Sequence, residues 1–251
     1  MVDDQTKKPM EPITAVAPGG FARSLYEIFT EPAKVFARID AGLSWWKAFI
    51  VICAVTIATQ VTIMSLFQTK LFELGLRARN MSPEQTERML ADADKFRTIG
   101  MITAPLAPII VILLASLVTA LFAHVVINLM TSRASYKKTL SLLLWCGLIT
   151  MVEQIIVTAI IAGRGVESVE SLADLRMSIG PAALFPNASG AFMALLQSLS
   201  LFQIWYYVVL VLGIAAIFRM KRAQAVLAAV PVWFIGFLLI LIGTKFQGGM
   251  R

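Results

Sequence analysis

The sequence predicts an all-α, polytopic membrane protein: a bundle of about five transmembrane helices preceded by short amphipathic ones. Three observations predict it. Hydrophobic residues make up 58% of the 251-residue chain and charged residues only 15%, against about one half and one quarter in a soluble domain. Mean hydropathy is +0.78. The apolar residues are also gathered into runs long enough to cross a hydrocarbon core, which takes roughly 20 residues.

Residues 1–20 contain Pro9, Pro12, Pro18, Gly19 and Gly20 with little hydrophobic periodicity, and are expected to be a disordered tail. They show no apolar signal-peptide core, so the first apolar run is expected to be retained. Residues 21–45 differ: Phe21, Leu25, Ile28, Phe29, Val35, Phe36 and Ile39 recur at helical spacing with charges between them. Two short amphipathic helices are expected, with a break near Thr30, where a hydroxyl cap precedes Glu31 and Pro32. They are too charged to span, so they either lie in the membrane interface or pack on the end of the bundle.

The first span is expected at about 46–67, with Trp45 and Trp46 at headgroup level. In the polar stretch that follows, Ser82-Pro83-Glu84-Gln85 fits a capping box opening an extramembrane helix over about 83–97. The second span, about 102–130, carries Pro105 and Pro108 in its first turns and a basic turn after it. The third is about 139–161. A second long loop, 163–198, becomes apolar from Ala191 onward. The fourth span is about 199–218, with Trp205, Tyr206 and Tyr207 near its start. The basic turn Arg219–Arg222 leads to the fifth, about 223–242, which contains Pro231. Residues 244–251 form a polar stub.

The net charge of +7 is not distributed as in a nucleic-acid-binding face. Arg133, Lys137 and Lys138 flank one short turn and Arg219, Lys221 and Arg222 another, positions that orient a membrane protein and meet lipid headgroups. Because both short turns are basic, the N-terminus is expected in the cytoplasm and the C-terminus outside. Cys53 and Cys146 lie within apolar runs and read as core residues. The two sequons, Asn80-Met81-Ser82 and Asn187-Ala188-Ser189, fall on the expected outer face.

No constellation for catalysis stands out. There is one histidine, His124, and one acidic residue well inside a span, Glu153. A metal site would need three or four ligands, and no zinc-protease, nucleophile-elbow or phosphate-binding motif occurs. The chain is therefore expected to be non-enzymatic, without cofactor or metal. The residues to examine are the intramembrane polar ones: His124, Glu153, Gln60, Gln203 and Asn128. Counting along helices puts His124, nine positions from Arg133, about 13 Å from the cytoplasmic edge. Glu153 comes out at about 22 Å, and Gln60 and Gln203 at about 20 and 24 Å, level with it. Thr56 and Pro231 fall level with His124. These groups are either interhelical hydrogen bonds that hold the bundle together or a proton or ion path through Glu153. Gly147, Gly213 and Gly236 fit close helix contact.

Several stretches recur in a fixed order. Leu25-Tyr26-Glu27-Ile28-Phe29-Thr30-Glu31-Pro32-Ala33-Lys34-Val35-Phe36 precedes the first span, and the Ser82-Pro83-Glu84-Gln85 helix follows it. His124 comes late in the second, Ser135-Tyr136-Lys137-Lys138-Thr139-Leu140 opens the third, and Phe202-Gln203-Ile204-Trp205-Tyr206 opens the fourth. Lys221-Arg222-Ala223 closes the following turn. In this order the chain resembles the Yip family, the Ypt/Rab-interacting membrane proteins, and more closely its bacterial members. The resemblance covers nearly everything after Gly20. For eukaryotic members it implies membrane traffic and binding of small GTPases through an Asp-Leu-Tyr-Gly-Pro signature. That signature is absent here, which counts against GTPase binding. For bacterial members the resemblance implies a fold.

The expected function is a membrane adaptor or organiser that binds membrane lipids and another membrane or cytoplasmic protein, or shapes the bilayer. Its expected surface comprises Phe21, Leu25, Phe29, Val35 and Phe36 with the six basic turn residues. The rival is a small transporter or channel subunit using Glu153. A polar cavity reaching Glu153 separates the two.

Overall fold

A computed structural model describes residues 20–78, 84, 106–169, 179–185, 188 and 190–248. Residues 1–19, most of the capping-box helix over 83–97 and both sequon asparagines lie outside the described residues. Every regular element described is helical: α1 (Phe21–Thr30), α2 (Pro32–Asp40), α3 (Trp45–Ala78), α4 (Leu106–Met130), α5 (Tyr136–Arg164), α6 (Gly190–Gln197), α7 (Leu201–Phe218) and α8 (Arg222–Gly248). Short 3₁₀ turns occupy Val166–Ser168 and Pro181–Leu184.

Among the described residues, five helices are long and apolar enough to cross a membrane: α3, α4, α5, α7 and α8. At 1.5 Å per residue, even α7, the shortest at 18 residues, covers about 27 Å, close to a hydrocarbon core. Helix α3 runs on beyond the apolar run ending at Phe67, as far as Ala78. Pro231 is accommodated inside α8 without ending it, as membrane helices allow when neighbours satisfy the freed carbonyl.

The bundle is built around α5 and α7. Half of α5's most apolar window is buried, against 17% for α3 and for α4. So α5 faces protein on most sides, while α3 and α4 present broad apolar faces outward. Helices α3 and α5 run parallel: Ser141 Oγ donates to the Leu43 carbonyl (3.0 Å) at one end, and Gln154 Nε2 donates to Thr59 Oγ1 (2.8 Å) farther along. Helices α5 and α7 run antiparallel, with Leu142 against Gly213 near one end and Glu153 against Ser200 toward the other. A Cβ added at Gly213 would sit 2.5 Å from Leu142 Cδ1 and 2.9 Å from Phe36 Cε1. That helix crossing therefore requires glycine, the close approach that small residues permit between membrane helices.

The N-terminal pair α1–α2 packs on the flank of α5 and α7. Ile28, Val35, Phe36 and Ile39 join the main hydrophobic core. Phe29 meets the Trp205 ring edge-on, with centroids 6.0 Å apart, and Phe21 meets Trp145 the same way at 6.2 Å. The break between the helices is capped differently from expectation. Glu31 is the N-cap of α2 and Pro32 its first residue, while the Thr30 hydroxyl turns back to donate to the Tyr26 carbonyl (3.3 Å).

Candidate functional site

Charge is clamped at the junction of α1, α2 and the bundle. Glu27 is buried and lies between Arg23, whose Nε donates to its Oε1 (2.8 Å), and Arg38, which pairs with its Oε2. Arg38 Nη1 also donates to the buried Ser24 hydroxyl (2.8 Å). The hydrogen bond from Arg38, followed by that from Arg23, holds the Glu27 carboxyl below its ordinary value although burial opposes this. A buried carboxylate is tolerable because two guanidinium groups meet it, through Arg23 Nε and Arg38 Nη1. At the end of α2, Lys138 Nζ pairs with Asp40 Oδ1. That bond fixes α2 to the start of α5 and puts the turn before α5 at the same end of the bundle.

This arrangement corrects part of the expected docking surface. Val35 and Phe36 are buried at 0% and 2% exposure, and Leu25 and Phe29 are half-buried against the core. The apolar stripe of α1–α2 is consumed by the protein's own bundle, because α5 and α7 offer it an apolar flank. Phe21 remains partly exposed. Lys138 is occupied by Asp40, whereas Arg133, Lys137, Arg219, Lys221 and Arg222 are exposed. Arg219 is the one non-glycine residue with positive φ among the described residues (φ 52°). It caps α7 in the left-handed conformation that glycine or asparagine usually takes.

The intramembrane polar residues also pair otherwise than expected. Glu153 meets neither Gln60 nor Gln203 side chain. Its Oε2 accepts from the Ser200 hydroxyl (2.8 Å) and its Oε1 from the Ile179 N–H (3.4 Å). Ser200 is the N-cap of α7, and the same hydroxyl accepts from the Gln203 N–H (3.1 Å). The carboxyl group thus stands behind the N-cap of α7. The loop between α5 and α7 makes this possible by folding back into the bundle. The Leu201 N–H donates to the Ile179 carbonyl (3.2 Å), and a Cβ on Gly180 would lie 2.9 Å from Ser200 Cα. Sequence counting placed Glu153 and Gln203 at one level but could not see a loop descending to meet them. Across α3 and α5, Thr59 and Gln154 make the bond expected of Gln60.

His124 lies level with the start of α5. Its ring meets Tyr136, the first residue of α5, edge-on at 6.0 Å, and the Tyr136 hydroxyl donates to the Leu117 carbonyl (3.0 Å). Helix α4 therefore overruns the start of α5, and the count assumed that both ended level. Asn128 is exposed near the end of α4 and stands apart from these polar pairs.

Residues of α4, α5, α7 and α8, with Ile52 of α3, line an open-sided cavity of about 260 Å³. Its walls are mostly apolar, with Ser116, Thr119, Gln203, Tyr206 and Tyr207 supplying uncharged polar groups. Glu153 is not among its lining residues. On α5 the lining positions run from Leu143 to Met151, and at 3.6 residues per turn Glu153 points about 120° away from their centre. The polar-cavity criterion for a path through Glu153 is therefore not met by this cavity.

The five apolar spans, the buried α1–α2 flank and the carboxylate tied to a helix cap define an integral membrane protein of the helical-bundle class. Within it, the chain belongs to the Yip1 domain family, whose profile matches residues 26–243. A comparison with curated proteins found no match, and neither did one with solved structures.

Proposed function

We propose that this chain is a non-enzymatic membrane adaptor or organiser of a bacterial inner membrane, with its N-terminus and both short basic turns in the cytoplasm. Its working surface is the basic end of the bundle, where it meets anionic lipid headgroups and an acidic face of a protein partner. One observation carries the reading. Five basic side chains stand exposed at that end, and one of them, Arg219, occupies a left-handed backbone position better suited to glycine. Strain kept at an exposed charged residue is a pointer to use. The interior supports the same reading, because Glu153 is engaged as a helix-cap acceptor and stands off the cavity.

The test is recovery of partners from native membranes after mild solubilisation. It compares the wild-type chain with a variant carrying Arg133→Gln, Lys137→Gln, Lys221→Gln and Arg222→Gln. The proposal expects the variant to insert and fold but to lose protein partners that the wild type retains. An unchanged partner set would contradict it. So would proton or solute flux in purified proteoliposomes that vanishes with Glu153→Gln.

A further inference from the structure

We infer that the mid-bundle cavity is a binding site for a neutral amphiphile, an apolar molecule ending in a hydroxyl or carbonyl that enters from the bilayer. The cavity sits beside Leu143–Met151 of α5, well within the span. No charged residue lines it, so a carboxylate, phosphate or ammonium group would enter without a counter-charge, which low-dielectric surroundings penalise heavily. What it offers instead is hydrogen-bonding capacity with no protein group to use it. Tyr207 Oη accepts from Gln203 Nε2 (3.2 Å) and keeps its own O–H free. Tyr206 is buried and hydrogen-bonds to no other described residue. Hydroxyls in an apolar setting normally find a partner, so two tyrosine hydroxyls with unused donors at one pocket wall point to a guest that accepts from them.

Size and access narrow the guest. At about 260 Å³, the space falls just below the usual range for drug-sized ligands, about 300–1,000 Å³. It suits the polar end of a single chain or a small ring, not a whole phospholipid. Ile52 is the one lining residue from α3, and α3 touches α4 only slightly. Both helices present apolar outer faces to lipid, so the route in from the bilayer runs between them. Two glycines keep the space open. A Cβ at Gly147 would meet only Ile52 Cδ1, at 3.7 Å, and one at Gly236 only Tyr207 Oη, at 3.3 Å.

The test uses the full chain in lipid nanodiscs and a diazirine-bearing C16 fatty alcohol as probe, with the matching fatty acid as comparison. Adducts are mapped by mass spectrometry. The alcohol is expected to label cavity residues of α4, α5, α7 or α8 in a saturable way, competed by unlabelled fatty alcohol. The ionised acid is expected to label them far less. Gly147→Leu, which fills the cavity, should abolish the saturable labelling. Should that variant fail to fold, Tyr206→Phe with Tyr207→Phe keeps the shape and removes both hydroxyls. It should weaken competition about tenfold, the value of one or two net hydrogen bonds. Overturning results would be non-saturable labelling, as expected of a merely water-filled cavity, equal labelling by the acid, or full labelling in a folded Gly147→Leu or double tyrosine variant.

Discussion

Substitution of Gly213 by alanine should loosen α1–α2 from the bundle without disturbing the spans. The added methyl would lie 2.5 Å from Leu142 Cδ1, 3.2 Å from Leu142 Cδ2 and 2.9 Å from Phe36 Cε1. Both neighbours are almost fully buried, so neither has an empty space to rotate into. Helices α5 and α7 are held by the bilayer and by α3, α4 and α8. Phe36 belongs to a nine-residue helix on the flank, so α2 gives way. Overpacking of this kind costs about 1–3 kcal/mol, which at 1.4 kcal/mol per tenfold raises the opening constant of the pair about 5- to 150-fold. Amide hydrogen exchange in nanodiscs reads that constant directly where opening is rapid. Protection over residues 21–40 should fall by that factor while amides of α5 and α7 keep theirs. Gly236→Ala, whose methyl meets only Tyr207, should leave 21–40 unchanged, and Leu142→Val should rescue Gly213→Ala. Unchanged exchange over 21–40 in Gly213→Ala would refute the packing argument.

Other perturbations follow from the same contacts. Glu153→Gln replaces one of two acceptor oxygens with a donor facing Ser200 or Ile179, so thermal stability in detergent should fall by about 1–3 kcal/mol. Combining it with Ser200→Ala should cost less than the sum, because both changes break one network. Arg38→Ala leaves Glu27 buried against a single arginine and should undock α1–α2 more than Glu27→Gln does, as exchange over 21–40 would report. Because the Glu27 carboxyl is held below its ordinary value, of about 4.3, docking is fully supported above that pH. It should weaken as pH falls through the lowered value, seen as a red shift of Trp145 emission between pH 7 and pH 3. For topology, cysteines placed at Lys137 and Lys221 should resist a membrane-impermeant reagent in intact cells and one at Gly248 should react. The reverse pattern would invert the orientation.

The spans were legible because burial in lipid demands long apolar helices, and the pattern leaves little choice about where they run. The amphipathic period of 21–40 was equally legible, but not its occupant. A stripe of Ile28, Val35, Phe36 and Ile39 fits a lipid interface and the flank of α5 and α7 alike, and only the position of Gly213 opposite Phe36 hints at the flank. Pairings between distant residues were the least legible. Glu153 found Ser200 and Ile179 because a loop folds inward, an event with no periodic signature. Gly180 before Pro181 was the available cue. The level of His124 against Tyr136 was not legible because α4 and α5 end at different levels. The cavity had no sequence signal beyond Tyr206, Tyr207 and Gln203, whose spacing puts them on one face of α7.

The central claim is that the protein works through the basic end of its bundle. A photo-crosslinking amino acid placed in living cells at Lys137, exposed at the start of α5, or at Lys221 should form discrete protein adducts. The same residue at Leu184, 78% exposed in the loop before α7, should form none. Adducts at Leu184 with none at Lys137 or Lys221 would contradict the account.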